Sequence, residues 1–225
     1  MQKIFFSTLV FLFAANTYSN AQISATTNDT VKLWTAADKN YLLNELISNR
    51  DSIINYVNRL NDTQWNFNET PSRWSIAESF EHLERYEYTY FKEVTLLAGG
   101  PMPDQKYLAV TKGNDQFFKD YETDTVKVTT GNLMEPIGRF ATKTKAIESF
   151  LRARNAFISY IQNTNTDLRR YFTFRGFSNT KNFSNGTKWN IRDLHQLVLT
   201  NISHAYRHMN QMKKVMQHSQ YPAGF

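Results

Sequence analysis

Apolar residues recur at spacings of three and four in four separate stretches of this chain, and that period confines it to helices more firmly than any other feature. Leu42, Leu43, Leu46, Ile47, Ile53, Ile54, Val57 and Leu60 mark helix one, predicted from Ala36 to Leu60. Helix two opens at Ser75-Ile76-Ala77-Glu78, a capping box in which the Ser hydroxyl and the Glu carboxylate accept first-turn backbone N–H groups. It ends near Leu97, before Gly99-Gly100-Pro101. Ile147, Phe150, Leu151, Phe157, Ile158 and Ile161 define helix three, Lys143 to Gln162, and helix four runs from about Asn190 to Gln217. A chain of 225 residues with 41% apolar content is long enough for one core and short for two. The pattern predicts an all-α four-helix bundle.

Two connectors break the period. Residues 99 to 142 carry Pro101, Pro103, Gly113, Gly131 and Pro136, with one short helix expected around Gln116 to Tyr121. This crossover from helix two to helix three could span a helix of about 36 Å, so the two need not be antiparallel neighbours, and it could serve as a lid. The second connector, Asp167 to Lys188, is rich in Asn, Ser, Thr and Phe. Arg154 interrupts the stripe of helix three; its charge could face a polar pocket, but the favoured expectation is a buried stem with its head in water. Trp65, Trp74 and Trp189 are expected to fill the bundle ends.

The N-terminus reads as an export signal. Met1-Gln2-Lys3 precedes a largely apolar run from Ile4 to Ala15, followed by Ser19-Asn20-Ala21, with cleavage expected before Gln22. The run is shorter than the ~20 residues that cross a bilayer, and no other segment is apolar enough to span. No cysteine is present, which rules out a lipobox anchor and disulfides alike. The predicted organisation is a signal peptide over 1–21, a flexible segment over 22–35 and the bundle over 36–225, with a periplasmic or secreted product. The formal charge of +6 includes Lys3 and is spread along the chain, whereas a nucleic-acid surface shows a clustered basic stripe, so no nucleic-acid partner is expected. Asn-x-Ser/Thr triplets occur, but Asn201-Ile202-Ser203 falls on the expected buried face of helix four, so they are read as chance.

Chemistry can sit at the histidines. At about 100° per residue, His204 and His208 share one face of helix four with Leu197, Asn201, Ala205, Met212 and Val215, while His195 points the opposite way and His218 lies at the frayed end. Two imidazoles one turn apart can hold a divalent metal if another element adds a ligand. On helix two, His82 shares a face with Glu78 and Tyr86, and a third imidazole from there would complete a three-histidine site with open positions. On spacing alone, the H-x-x-x-H pair is more often two ordinary histidines, and Glu78 is as well explained by the cap.

The segment Trp74-Ser75-Ile76-Ala77-Glu78-Ser79-Phe80-Glu81-His82-Leu83 resembles the W-S-x-x-E-x-x-x-H-L signature that opens the second helix of DinB-like proteins. His204-Ala205-Tyr206-Arg207-His208-Met209-Asn210-Gln211 resembles their last-helix signature, with Asn210 where members often carry Gly, and Pro71 fits more loosely. The resemblance covers nearly all of the chain after the signal. It implies one divalent ion held in a bundle by His82, His204 and His208; three imidazoles suit zinc, nickel, iron or copper, with zinc, nickel or iron expected first. Members with known activity include transferases and isomerases that use cytosolic thiols, which an exported protein would not readily meet.

Two functions follow as expectations. One is a metal-dependent hydrolase or transferase acting on a small molecule, with Glu78 as general base or as orienter of a ligand. In it Gln211 hydrogen-bonds a ligand or substrate, and Asn201 needs a buried partner. The other is a non-catalytic, metal-stabilised module that captures a small molecule or a partner protein. A histidine site left without metal and satisfied by hydrogen bonds is a third, and a homodimer is compatible with all of them.

Overall fold

The computed structural model describes residues 31–120, 132–174 and 191–223. The predicted signal peptide, most of the predicted flexible segment, Gly131, Trp189 and the expected start of helix four at Asn190 lie outside the described residues. Lys32–Phe225 forms one unit, and Met1–Val31 is a separate one.

Four long helices dominate the larger unit: α1 (Ala36–Asn58), α3 (Ile76–Ala98), α6 (Lys143–Asn163) and α7 (Leu194–Val215). Shorter helices are α2 (Asp62–Trp65), α4 (Leu108–Thr111) and α5 (Asp115–Lys119). A polar side chain starts each long helix. Thr35 with Asp38, Ser75 with Glu78, and Asp193 with Gln196 form capping boxes, and the Thr142 hydroxyl accepts from the Lys145 N–H. Among the described residues, no helix is long and apolar enough to cross a membrane. α3 and α1 each pack on both α6 and α7, so α1 and α3 stand at opposite corners of a four-helix bundle. Helices two and three of the sequence reading are therefore direct neighbours.

One correction concerns the start of helix four. Residues 191–193 form a short strand, β2 (Ile191–Asp193), paired antiparallel with β1 (Phe172–Phe174). Three-residue strands are too short to display an alternating pattern, and the helix begins only at the Asp193 cap. A second departure concerns residues 33–35. Asp167 accepts from the Leu33 and Trp34 N–H groups, Trp34 is buried, and Thr35 caps α1, so the end of the segment predicted to be flexible is fastened down.

The core has two apolar clusters, one around Leu46, Phe157 and Val198, the other around Ile53, Phe80, Phe150 and Met212. Between them each long helix contributes one polar residue: Asn49, Glu87, Arg154 and Asn201. Arg154 Nε and Nη2 donate to the two Glu87 oxygens at 2.7 and 2.6 Å, and Nη1 donates to Asn49 Oδ1 at 3.1 Å. Asn201 Nδ2 donates to Glu87 Oε2 at 3.0 Å. The expectation that the head of Arg154 reaches water is thus overturned, since its side chain is 0% exposed. A carboxylate from the facing helix removes the need for solvent, because a paired and hydrogen-bonded guanidinium tolerates burial that an isolated one does not.

Candidate metal centre

The capping box fixes where α3 starts, and His82 then falls in its second turn, facing the bundle. His204 and His208, one turn apart in the middle of α7, face it from the other side. All three are buried. Each offers a ring nitrogen, and these ligand atoms lie within 4.8 Å of one another. The Nε2 atoms of His204 and His208 stand 3.1 Å apart, and the His82 ring centroid is 5.4 Å from that of His204 and 4.6 Å from that of His208. Trp74 and Tyr86 wall the cluster, with ring centroids each 4.8 Å from that of His82.

Two observations bear on whether a cation fits there. The first is protonation. Burial, with help from the charge of Arg85 and against the hydrogen bond to Met134, pushes His82 down to about 4. Burial, then the mutual influence of the rings and the charge of Arg207, holds His204 and His208 well below the usual histidine range. All three are neutral at pH 7, the form that coordinates a metal. The second is direction. His82 Nδ1 lies 2.8 Å from the Met134 carbonyl oxygen, which can only accept, so Nδ1 carries the proton and Nε2 keeps its lone pair. A ligating histidine is commonly held this way by a carbonyl on its other nitrogen. The donor set therefore fits a borderline divalent ion such as zinc, nickel or iron.

The other predicted site residues stand at varying removes. Gln211 lies close enough to His208 to counter in part the fall that burial imposes on its pKa. Asn201 belongs to the polar layer with Glu87 and Arg154, one turn from His204. Glu78 Oε2 accepts from the Ser75 N–H at 2.8 Å and from Asn68 Nδ2 at 3.0 Å, so its carboxylate serves the cap. Unforeseen from the sequence was the segment 133–139, which ends the crossover and lies along α3. Its Met134 carbonyl is backbone, which leaves no mark in sequence, but the run of charges Glu81, Glu84 and Arg85 around His82 was a signal that could have been followed.

A second cluster, Asp38, Asp115 and His195, also brings its ligand-type atoms within 4.8 Å of one another. His195 was predicted to face away from the core, yet it is 2% exposed. The helical geometry considered the bundle alone, whereas α5 packs on the outer face of α7 and Trp34 donates its indole N–H to His195 Nδ1 at 3.2 Å. Arg169 occupies the centre, donating to both Asp115 oxygens at 2.8 and 2.7 Å, to Asp38 at 2.9 Å and to Asp193 at 3.2 Å.

Comparison with known proteins agrees with this architecture. Residues 45–212 match the model of the DinB superfamily. The chain belongs to that superfamily. Among solved structures, YfiT from Bacillus subtilis, described as a probable metal-dependent hydrolase with an unusual four-helix bundle topology, is similar with a TM-score of 0.53 at 10% identity, covering 84% of this chain and 91% of that one. Such low identity speaks to the fold. No curated protein sequence matches the chain significantly.

Proposed function

We propose that this DinB-superfamily member is a metal-dependent hydrolase acting on a small molecule outside the cytoplasm, with one divalent ion held by His82, His204 and His208. The observation that carries the reading is the set of three buried, neutral imidazoles with ligand atoms within 4.8 Å of one another. An ion bound there supplies Lewis acidity toward a water or a substrate oxygen, and a three-histidine set leaves coordination positions open for both. Around it, Trp74 and Tyr86 supply an apolar wall and Gln211 a polar group beside His208. Hydrolysis is favoured over thiol transfer because the signal-like residues 1–21 would carry the protein away from cytosolic thiols, while water is available everywhere. The description of YfiT as a probable metal-dependent hydrolase supports the same class.

One preparation tests both parts. Protein recovered from the periplasm without an affinity tag should begin near Gln22 by intact mass and carry about one metal ion per chain. His204→Ala should lower the affinity for added Zn²⁺ by about two orders of magnitude, as expected when one ligand of a site binding with on the order of 10 kcal/mol is removed. Full metal content in that variant, or an intact Met1 in the native protein, sinks the corresponding half of the proposal.

A further inference from the structure

The segment that supplies the Met134 carbonyl is tied to α3 residue by residue. Arg85 donates to the Leu133 carbonyl, and to that of Glu135 at 2.6 Å. Glu81, 4% exposed, accepts three successive backbone N–H groups, from Ile137 and Gly138 at 2.9 Å each and from Arg139 at 3.1 Å. The Arg139 side chain returns to Glu84. Three consecutive amides converging on one carboxylate form an anion nest, and the turn that aims them passes through Gly138 at φ +71°, a region that L side chains rarely adopt. Glu81 therefore holds no substrate and no metal in this arrangement. It holds the loop whose carbonyl accepts the hydrogen bond from His82 Nδ1–H.

We propose that Glu81 is a positioning residue for the metal centre: by gathering the 137–139 amides it seats the 133–139 strap on α3, so that Met134 keeps His82 in the tautomer whose Nε2 lone pair is available to a metal. The inference rests on the metal reading above, but its first consequence is visible without metal. A carbonyl acceptor on Nδ1 selects one of two neutral tautomers that are otherwise similar in energy. With the strap seated, His82 is a single tautomer; with it released, the ring exchanges between two. The coupling also runs both ways, since an ion that prefers the Nδ1–H form of His82 must favour the seated strap to the same extent.

Three variants test it: Glu81→Gln, Gly138→Ala and Asn61→Ala. Gln keeps the length of Glu81 but loses the charge and places an N–H₂ among three N–H donors. At Gly138 an added Cβ meets nothing within 4 Å, so Ala there acts through backbone strain alone. Asn61→Ala removes the N-cap of α2, whose side chain bonds Gln64 rather than the strap, and controls for a merely structural loss. Side-chain nitrogen NMR of the metal-free protein should show His82 protonated at Nδ1 in the wild type and in Asn61→Ala, and as an exchanging mixture in the two strap variants. Zn²⁺ affinity, measured by competition with a chromophoric chelator, should fall about 10- to 100-fold in the strap variants, as for other losses of support behind a ligand. A His82 tautomer unchanged in both strap variants overturns the positioning role, whatever the affinity. Absence of Zn²⁺ binding in the wild type overturns the metal reading instead, and the tautomer spectra still decide the role of Glu81.

Discussion

The histidine cluster of α3 and α7 and the Asp38, Asp115 and His195 cluster at the head of α7 each bring ligand-type atoms within 4.8 Å of one another, yet they differ in what their lone pairs already do. At the second cluster every donor atom is answered. Arg169 donates to Asp38, Asp115 and Asp193, and the indole N–H of Trp34 occupies His195 Nδ1, which leaves the proton of a neutral ring on Nε2. Although burial pushes it upward, Asp115 is drawn down to about 2 by its hydrogen bonds from Arg169 and Gln196 and by the charge of Arg169. At the first cluster, Met134 leaves the Nε2 lone pair of His82 free, and two Nε2 atoms confront each other with only one proton needed between them. Proximity of ligand-type residues therefore identifies two places, and hydrogen-bond accounting distinguishes a strut from a site.

Removing the strut should have the largest effect. Arg169→Met leaves Asp38, Asp115 and Asp193 together without their guanidinium, and breaking this partly buried network costs up to about 3–5 kcal/mol. For a chain of this size that corresponds to a fall in Tm of about 10 °C, measured by calorimetry. Metal content should be unchanged in the folded fraction at 20 °C. If metal is lost together with stability, the two clusters act as one network and the distinction fails.

Much of this was legible in the sequence, and the failures share a cause. Periodicity located the four long helices to within a few residues because it reports the apolar stripe each turns toward the bundle, and the same stripe placed His204 and His208 together. His195 was misjudged because a helical wheel knows one interior, whereas α7 is covered on its outer face by α5 and Trp34. Arg154 was misjudged because its partner Glu87 lies 67 residues away on another helix. The Arg169 knot unites residues 38, 115, 169, 193 and 195, a set without any common spacing. Local pattern reveals what one element presents, and pairings between elements must await the fold.

Acid should separate the clusters by a smaller margin. His82 and His195 are both pushed by burial to about 4, against about 6.5 for an exposed histidine. Below pH 6.5 the unfolded chain binds protons that the folded chain refuses until about pH 4, so stability is greatest above this window and falls as pH drops through it. Each ring contributes about 2–3 kcal/mol to that loss. Saturating Zn²⁺ binds the neutral rings of the folded cluster, which carry no extra proton in this window with or without the ion, so it should raise stability by a near-constant amount and leave the slope in place, whereas His195→Gln removes the share of His195 from the slope. Urea midpoints recorded from pH 7.5 to 5 with and without Zn²⁺ read both effects. Midpoints unmoved by the ion in the wild type would mean that it does not bind at these histidines.

The smallest expected effect concerns Glu78, the carboxylate that helical spacing put on the same face as His82. His195 has two aspartates near its Nε2, at 3.9 and 3.8 Å, whereas Glu78 Oε2 is engaged by the Ser75 N–H and by Asn68 at the start of α3. Its carboxylate is thus already occupied in closing the first turn of α3. Glu78→Gln retains an acceptor for the cap and should change stability by less than about 0.5 kcal/mol, while Glu78→Ala should cost about 1 kcal/mol through the lost cap. Metal content should hold in both, and turnover of any substrate found should be unchanged in the Gln variant. A general base acts in the reaction, whereas a ligand acts in binding, so lost turnover in Glu78→Gln at full metal content would restore Glu78 as the proton acceptor. It would also give the histidine cluster its own carboxylate, narrowing the contrast with the cluster at His195 to the single matter of Arg169.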